Sequence, residues 1–156
     1  MSNKTKEVVI VEALRTPIGR YKGSLKQLRA DQLGSIVIKE VLKRSKFDKD
    51  EIDEVIMGQV LTTGAGQNPA RQAAINAGIP ISKPAYIINQ VCGSGLRAVI
   101  SGYQSIKLGE ATSIISGGQE NMSIAPHSIF LRNEKKISED KLVDTVINDG
   151  LLDAFN

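Results

Sequence analysis

Cys92 is the residue of this sequence that is best placed for covalent chemistry. It stands in the segment NQVCGSG, residues 89–95, where an apolar run predicted to be a strand gives way to a predicted helix. Gly93 and Gly95 give the backbone the freedom that a sharp turn needs, and they let a substrate approach closely. A thiol at the start of a helix lies beside unpaired N–H groups that favour the thiolate and can stabilise an oxyanion on an attacked carbonyl. The pattern therefore predicts a nucleophile, as in the nucleophile elbow of serine hydrolases. The alternative is a buried cysteine that packs as a small apolar residue.

Alternating apolar segments predict the scaffold that holds this turn. Short apolar runs of the length of a strand alternate with longer segments that carry one apolar stripe at helical spacing. The predicted strands are Val8–Val11, Ile52–Gly58, Tyr86–Ile88 and Ser113–Ser116, and the predicted helices are Asp31–Arg44, Pro69–Ala77 and Leu96–Ile106. This alternation indicates an α/β layer with a parallel sheet and right-handed crossovers. After Ser123 the periodicity weakens, and only a short helix over Leu142–Ile147 is predicted.

Residue types at the helix ends predict where the helices begin and stop. Asp31 is predicted to cap the first helix. Asn68 is predicted to cap the second, with Pro69 in the first helical position. Gly78 and Gly109 are predicted to end the second and third helices. The second helix has a face of small residues that we expect to be buried, namely Ala70, Ala73, Ala74 and Ala77.

The composition narrows the classes of function. The 156 residues are enough for one domain, and 41% hydrophobic with 24% charged residues is ordinary for a globular protein. The net charge of +3 is small and basic residues alternate with acidic ones, so we predict no nucleic-acid partner. The polar residues 1–6 precede a short apolar run that cannot serve as a signal peptide, and no run reaches the length of a membrane span. We therefore expect a cytoplasmic protein without a membrane partner.

A single cysteine and a single histidine limit the chemistry further. One cysteine excludes an intrachain disulfide, and the lack of a resolving cysteine argues against a thiol-redox protein. No metal site is predicted. The basic residues Arg132, Lys135 and Lys136 are expected to form a solvated loop rather than a phosphate clamp.

Five segments together resemble motifs of the thiolase family, in the same order. The segment NQVCGSGLRA at 89–98 resembles the nucleophile motif. The others are RTPIG at 15–19, GAGQNPARQ at 64–72, GGQENMS followed by APH within 117–127, and DGLLDAF at 149–155. The resemblance runs from Val8 to the last residue. It implies an α/β, thiolase-like fold whose N-terminal βαβαβαβ half has a mostly parallel sheet and is followed by the start of the loop region, with the C-terminal half absent.

The resemblance also implies a division of the chain. Residues 1–122 correspond to an incomplete N-terminal thiolase α/β domain, and residues 123–156 correspond to the start of the loop and oligomerisation region. We therefore expect the sequence to be an N-terminal fragment.

A two-step acyl transfer is the activity that the resemblance implies. Cys92 attacks acetyl-CoA, its backbone N–H contributes to the oxyanion hole, and the acetylated thiol reacts with a second acetyl-CoA to give acetoacetyl-CoA. Thiolysis of a 3-ketoacyl-CoA is the reverse reaction. Leu151 matches a loop position that lines the path of the pantetheine arm of coenzyme A. Acyl-CoA thioesters are thus the expected substrates, no cofactor is bound permanently, and the full-length family forms homo-oligomers, either dimers or tetramers.

Other catalytic residues of the family are absent from this sequence, so this chain alone is predicted to be inactive. They are a His in a Gly-His-Pro motif, a second Cys in a Cys-x-Gly-x-Gly motif, and an Asn-Glu-Ala-Phe segment. His127 matches a family histidine that is not catalytic. Glu120 and Asn121 are expected to satisfy loop backbone groups, and residues 119–123 are predicted to support the Cys92 turn or a subunit contact.

Two other functions stay open at this point. A ketoacyl synthase uses the same fold and a similar cysteine, and it would decarboxylate a malonyl thioester. A non-catalytic fragment or half-domain would bind a partner chain or coenzyme A without turnover.

Overall fold

A parallel three-stranded sheet lies at the centre of the computed structural model, which describes residues 7–132 and 142–155. The strands are β1 (Glu54–Gly58), β2 (Ala85–Ile88) and β3 (Ile114–Gly118), arranged in the order β2-β1-β3. Gly58 at the end of β1 aligns with Ile88 on one side and with Gly118 on the other. The carboxyl ends of all three strands therefore meet at one edge of the sheet. The predicted parallel α/β layer is confirmed.

Three helices accompany this sheet: α1 (Ala30–Ser45), α2 (Pro69–Ala77) and α3 (Ser94–Leu108). The helix α2 connects β1 to β2, and α3 connects β2 to β3. Because β2 and β3 lie on opposite sides of β1, right-handed crossovers place α2 and α3 on opposite faces of the sheet. The helix α1 packs on α2, whereas α3 contacts all three strands. Within the described ranges, no helix is both long enough and apolar enough to cross a membrane.

The main apolar core lies between the sheet and the layer formed by α1 and α2. Val55 and Met57 of β1 and Ile38 of α1 are buried in it. The predicted small face of α2 is confirmed, since no residue of this set is more than 9% exposed: Ala70, Ala73, Ala74 and Ala77. Such small side chains let the helix backbone lie close to its neighbours.

The helix α3 is apolar on two faces. Toward the sheet it presents the small buried residues Ser94, Ala98 and Gly102. A methyl group added to Gly102 would lie 3.2 Å from Ile114 Cγ2, which shows how closely the helix contacts β3. On its other side, larger apolar side chains at helical spacing are between 36% and 68% exposed: Leu96, Val99, Ile100 and Tyr103. We call these four residues the α3 stripe.

The ends of α2 and α3 agree with the sequence prediction, but the start of α1 does not. Asn68 Oδ1 accepts the N–H of Arg71 at 3.1 Å, and Gly78 ends α2 with a φ of 94°. The cap of α1 is Arg29, so the prediction of Asp31 as the cap is wrong. Gln32 Oε1 accepts the Arg29 N–H at 2.8 Å and so caps this end instead.

Asp31 lies inside the first turn of α1 rather than before it. It is only 3% exposed, and its Oδ1 accepts a hydrogen bond from Arg29 Nε at 2.8 Å. A carboxylate in the first turn is stabilised by the positive end of the helix dipole. The ion pair of the buried Asp31 with the half-exposed Arg29 therefore accounts for the earlier start of the helix.

The predicted first strand, Val8–Val11, is wrong in this structure. No residue from 7 to 20 is in a strand, and Val9, Ile10 and Val11 are 65%, 77% and 62% exposed. A strand needs a neighbour that satisfies its N–H and C=O groups, and none of the described strands pairs with this segment. An apolar run alone therefore did not suffice to make a strand.

The segment after β3 also differs from the sequence prediction. It contains a short antiparallel pair, β4 (His127–Ser128) with β5 (Val143–Asp144), followed by a helical turn over Ile147–Leu151. The helix predicted over Leu142–Ile147 is therefore wrong in its first half. Asp144 Oδ1 accepts the Val146 N–H at 2.8 Å, so helical backbone begins only after Asp144. Of the predicted basic loop, Lys135 and Lys136 lie outside the described residues, and the division of the chain between residues 122 and 123 stays a prediction.

Candidate active site

Cys92 lies in the turn between β2 and α3, as its sequence context predicted. The strand β2 ends at Ile88, Gly93 is the N-cap of α3, and the helix begins at Ser94. The thiol is free and exposed, so the alternative of a buried cysteine packed as a small apolar residue is wrong. A reagent in solution can therefore reach the sulfur.

Hydrogen bonds within the turn hold Cys92 in place. Ser94 Oγ donates to the Val91 carbonyl at 2.6 Å and accepts the Gln90 N–H at 2.8 Å. The Gly93 N–H donates to the Gln90 carbonyl at 3.0 Å. Val91 has a φ of 47°, in the left-handed region that β-branched residues avoid, and such a conformation costs about 1–3 kcal/mol. The bonds on both sides of Val91 offset this strain and fix the direction of the next residue.

Three glycines let the first turn of α3 lie directly on the strand ends. A methyl group on Gly58 would overlap the backbone of Ser94 and lie 2.5 Å from the Gly95 nitrogen. A methyl group on Gly118 would lie 3.2 Å from Gly95 Cα. We call Gly58, Gly95 and Gly118 the glycine platform. Because backbone meets backbone here, the position of the Cys92 turn depends directly on the spacing of β1 and β3.

The N-terminus of α3 points its N–H groups toward the Cys92 turn. The N-cap Gly93 has no side chain to accept them, and the Ser94 N–H is taken by the Val91 carbonyl at 3.1 Å. The following first-turn N–H groups of a helix lack intrahelical partners and carry a partial positive charge. An anion or a developing oxyanion is stabilised at such a place.

Two buried glutamines join the ends of β1 and β3 beside the platform. Gln119 Nε2 donates to Gln59 Oε1 at 2.9 Å, and Gln59 Nε2 donates to the Leu61 carbonyl at 2.7 Å. Gln59 is 2% exposed and Gln119 is 6% exposed. We call them the amide pair. Gln119 Oε1 is buried against Gly34 of α1, where an added methyl group would overlap it, and has no hydrogen-bond partner among the described residues.

Glu120 and Asn121 satisfy backbone groups of loops, as predicted, whereas the role of residues 119–123 in supporting the Cys92 turn or a subunit contact stays a prediction. Glu120 Oε2 accepts the N–H of Val60 at 2.8 Å. Asn121 Nδ2 donates to the carbonyl of Leu28 at 2.6 Å. Both side chains thus satisfy backbone groups of loops, which explains why an acid and an amide follow β3.

Glu120 is the one of these residues whose ionisation is altered by its surroundings. Burial raises the pKa of Glu120 above 4.5, while the N–H groups of Val60, Leu61 and Asn121 lower it by less. Its second oxygen, Oε1, is buried without a hydrogen-bond partner among the described residues. The protonated form of Glu120 is therefore more strongly favoured than the protonated form of a carboxyl group in water.

Replacement of Glu120 by Gln is expected to change how the stability depends on pH. Because the folded chain holds the Glu120 proton more tightly than the unfolded chain, the stabilising contribution is complete below pH 4.5 and is lost as the pH rises through the raised pKa. A Gln side chain keeps an acceptor for the Val60 N–H and has no proton to lose. As the pH rises from 4.5 through the raised pKa of Glu120, the free energy of unfolding of Glu120→Gln should therefore increase relative to that of the parent, as measured in urea titrations. The exposed control Glu51→Gln should show no such gain, and parallel curves for Glu120→Gln and the parent would contradict the expectation.

Two widely separated sequence motifs meet at one cavity. Residues 15–19 of the RTPIG segment and residues 118 and 120–123 of the segment after β3 line a cavity of about 530 Å³. Arg15, Arg20 and Lys26 stand along its wall, with Glu120 on the side of the sheet. The two motifs thus share one cavity, and neither is thereby assigned to the chemistry of Cys92.

The other residues that the sequence analysis named lie in the segment after β3. His127 Nε2 is 3.8 Å from Asp144 Oδ2, and both side chains are well exposed, so this contact contributes little to stability. Leu151 is 61% exposed in the helical turn that follows β5. Its neighbour Gly150 faces Leu61, which an added methyl group would approach to 3.5 Å. The cofactor contact of Leu151 stays a prediction, and the described residues include no cluster of His, Cys, Asp or Glu that could hold a metal ion.

Gln59, Gly58 and Ser94 are site residues whose roles were not predicted from the sequence. Each depends on a contact with a residue distant in the chain or on the detailed shape of the turn. The role of Gln59 could have been suspected because it is a polar residue directly after a buried strand. The role of Gly58 could have been suspected because it is a glycine at the end of a strand.

The sequence is similar to known proteins along nearly its whole length. It matches the family model described as thiolase, N-terminal domain, over residues 8–156. An acetyl-CoA acetyltransferase from Paracoccus denitrificans is 51% identical to it over 150 residues, which are 96% of this chain and 38% of that protein. A cytosolic acetyl-CoA acetyltransferase from Rattus norvegicus is 51% identical over 149 residues, again 96% of this chain and 38% of that protein.

The fold is likewise similar to that of a solved structure. The Acat5 thiolase from Ascaris suum, determined in complex with coenzyme A, superposes with a TM-score of 0.85 and 41% sequence identity. The match covers 90% of this chain and 37% of that chain. The present chain therefore spans less than half the length of the relatives it matches.

Proposed function

Because this chain belongs to the thiolase family, as its match to the N-terminal domain model shows, we propose that Cys92 accepts an acyl group from an acyl-CoA thioester. The observation that carries the proposal is the exposed thiol at the N-terminus of α3, in a turn held by Ser94. The expected substrate is acetyl-CoA, in keeping with the names of the relatives. The reaction class is acyl transfer through a covalent thioester.

The geometry of the turn supports the following first step. The Cys92 thiolate forms a bond from sulfur to the carbonyl carbon of acetyl-CoA, and the carbonyl oxygen becomes an oxyanion. The N–H of Cys92, which directly precedes the N-cap of α3, stabilises that oxyanion. The bond between the carbonyl carbon and the coenzyme A sulfur then breaks, and coenzyme A leaves and takes up the proton that Cys92 released.

The complete reaction would join the bound acetyl group to a second acetyl-CoA. That molecule loses a proton from its methyl carbon, attacks the acyl-enzyme and forms acetoacetyl-CoA, and thiolysis of a 3-ketoacyl-CoA is the reverse. These steps need a base and a second proton carrier, whereas the sequence holds one cysteine and one histidine. We therefore assign only the acyl-accepting step to these residues. Leu151 is proposed to border the pantetheine arm.

Intact mass spectrometry tests the acyl-accepting step. After incubation with acetyl-CoA, the parent chain is expected to gain one acetyl group and Cys92→Ser none. Hydroxylamine should release the acetyl group, because it cleaves thioesters and leaves amides of lysine intact. An adduct of equal yield on Cys92→Ser, or one that resists hydroxylamine, would remove Cys92 from the chemistry.

Two alternatives are distinguished by further observations. The match to the thiolase model favours thiolase over a ketoacyl synthase, and decarboxylation of a malonyl thioester would point to the latter. A non-catalytic half-domain would bind coenzyme A or a partner chain without forming the thioester. The same mass measurement separates it from an acyl acceptor.

The cellular setting is proposed from the relatives. The rat relative is a cytosolic enzyme by name, which supports a cytoplasmic location for this chain. We expect acyl-CoA thioesters as small-molecule partners, a homo-oligomer for the full-length protein, and no nucleic-acid or membrane partner.

A further inference from the structure

The amide pair Gln59–Gln119 is an unusual choice of residues for a buried position. Burial of an amide is unfavourable unless its polar atoms are hydrogen-bonded. Within the pair, Gln119 Nε2 donates a hydrogen bond of 2.9 Å to Gln59 Oε1. Gln59 Nε2 donates a second hydrogen bond to the Leu61 carbonyl. Gln119 Oε1 keeps no hydrogen-bond partner within the described ranges. Two apolar side chains of similar shape would remove this unsatisfied oxygen and leave the Leu61 carbonyl without its donor instead. The pair therefore does not reduce the number of unpaired oxygens, and stability alone does not explain it.

The position of the amide pair connects it to the Cys92 turn. Each glutamine directly follows a residue of the glycine platform, since Gln59 follows Gly58 and Gln119 follows Gly118. The Gln119 N–H donates to the Gly58 carbonyl at 2.9 Å, and the Gln59 N–H donates to the Ile88 carbonyl at 3.1 Å. The pair therefore lies where the ends of all three strands meet.

Direct backbone contact transmits the spacing of the strand ends to the thiol. Gly58 and Gly118 both touch the first turn of α3 at Gly95, with no side chain between them that could adapt. A change in the separation of β1 and β3 would therefore shift the start of α3. A shift of that start moves the N–H groups of α3 relative to the sulfur of Cys92.

We propose that the amide pair Gln59–Gln119 is a positioning device that holds the ends of β1 and β3 together beside their last backbone hydrogen bond and thereby aligns Cys92 with the N-terminus of α3 for acyl transfer. The proposal rests on the proposed function of Cys92 as acyl acceptor. Neither glutamine touches the substrate in this account. Both act through the glycine platform.

A double replacement by an apolar residue of similar shape tests this role. In Gln59→Met/Gln119→Met both amides are removed together, so that among the described residues the Leu61 carbonyl is the one hydrogen-bond partner of the pair that loses its donor. The melting temperature is expected to stay within about 3 °C of the parent. The rates of Cys92 acetylation by acetyl-CoA and of Cys92 alkylation by iodoacetamide are both expected to fall by about tenfold, since a displacement of about 1 Å can cost on the order of 100-fold in rate. Gln104→Met, on the exposed side of α3, is the matched control and should keep both rates.

The possible outcomes separate positioning from mere packing. Unchanged rates in a double variant that melts with the parent would overturn the proposal. A purely structural role of the pair predicts that the Cys92 rates fall in proportion to the fraction of the double variant that is unfolded. A fall of that size and no more would therefore also overturn the proposal. If the parent takes up no acetyl group at all, the proposed function fails, and the alkylation rates still decide whether the pair positions the thiol.

A second variant keeps the test valid if the double variant does not fold. Gly118→Ala leaves both glutamines intact and adds a methyl group 3.2 Å from Gly95 Cα, which forces the first turn of α3 to shift by a few tenths of an ångström. Both Cys92 rates should fall in this variant by severalfold. Rates equal to those of the parent would show that the platform does not control the thiol, and the proposal would be lost.

Discussion

A Gly58→Ala variant is expected to lose about 3 kcal/mol of its free energy of unfolding and most of the reactivity of Cys92. The added methyl group would overlap the backbone of Ser94 and lie 2.5 Å from the Gly95 nitrogen. Backbone atoms cannot rotate away as the end of a side chain can, so either α3 moves outward or β1 bends. Both movements disturb the turn that carries the thiol.

Urea unfolding and iodoacetamide alkylation of the same preparations measure these two effects. Gly117→Ala is a matched control on the neighbouring strand, because its added methyl group would have its nearest contact at 3.9 Å, with Met57. This control should lose little stability and little reactivity. A Gly58→Ala variant as stable as Gly117→Ala would mean that the glycine platform is not tightly packed.

The second large effect concerns turnover. A polypeptide of these 156 residues is expected to take up at most one acetyl equivalent from acetyl-CoA and then to stop, with no detectable formation of acetoacetyl-CoA. Cys92 is the one thiol of the sequence, and His127, the one histidine, is an exposed residue of β4 that lies 3.8 Å from Asp144 of β5. Neither Cys92, once acetylated, nor the exposed His127 is thus placed to remove a proton from the methyl carbon of a second acetyl-CoA.

Chromatographic measurement of released coenzyme A and of acetoacetyl-CoA tests this expectation. One equivalent of coenzyme A per chain, followed by a plateau, would agree with it. Continued release at about 1 s⁻¹ or faster, with acetoacetyl-CoA as the product, is the behaviour of an enzyme. That result would mean that a base exists among these residues, and His127→Ala would then show whether it is the histidine.

Local signals predicted the parts of the fold that depend on nearby residues. Asn68, Pro69 and Gly78 set the two ends of α2, as their types indicate, because a helix end is built from groups within one turn of it. The exposed position of Cys92 before α3 followed from glycines adjacent to it in the sequence.

Features that depend on distant residues were not predicted. The segment Val8–Val11 has the composition of a strand, yet a strand exists only beside a partner, and its sequence does not specify one. The cap of α1 moved to Arg29 because of an ion pair with Asp31. The amide pair joins residues that are 60 positions apart, so neither glutamine could be connected to the thiol before the strands were aligned.

The α3 stripe has a consequence for how substrates reach the thiol. Leu96, the first residue of the stripe, lies in the first turn of α3, four positions after Cys92, and is 68% exposed. A helix that is apolar on opposite faces is typical of the interior of an assembly. Any surface that packs on the stripe would therefore also form one wall of the entrance to the sulfur. The width of that entrance, and with it the size of the acyl chain that can enter, would then be set jointly by this chain and by the surface that covers it.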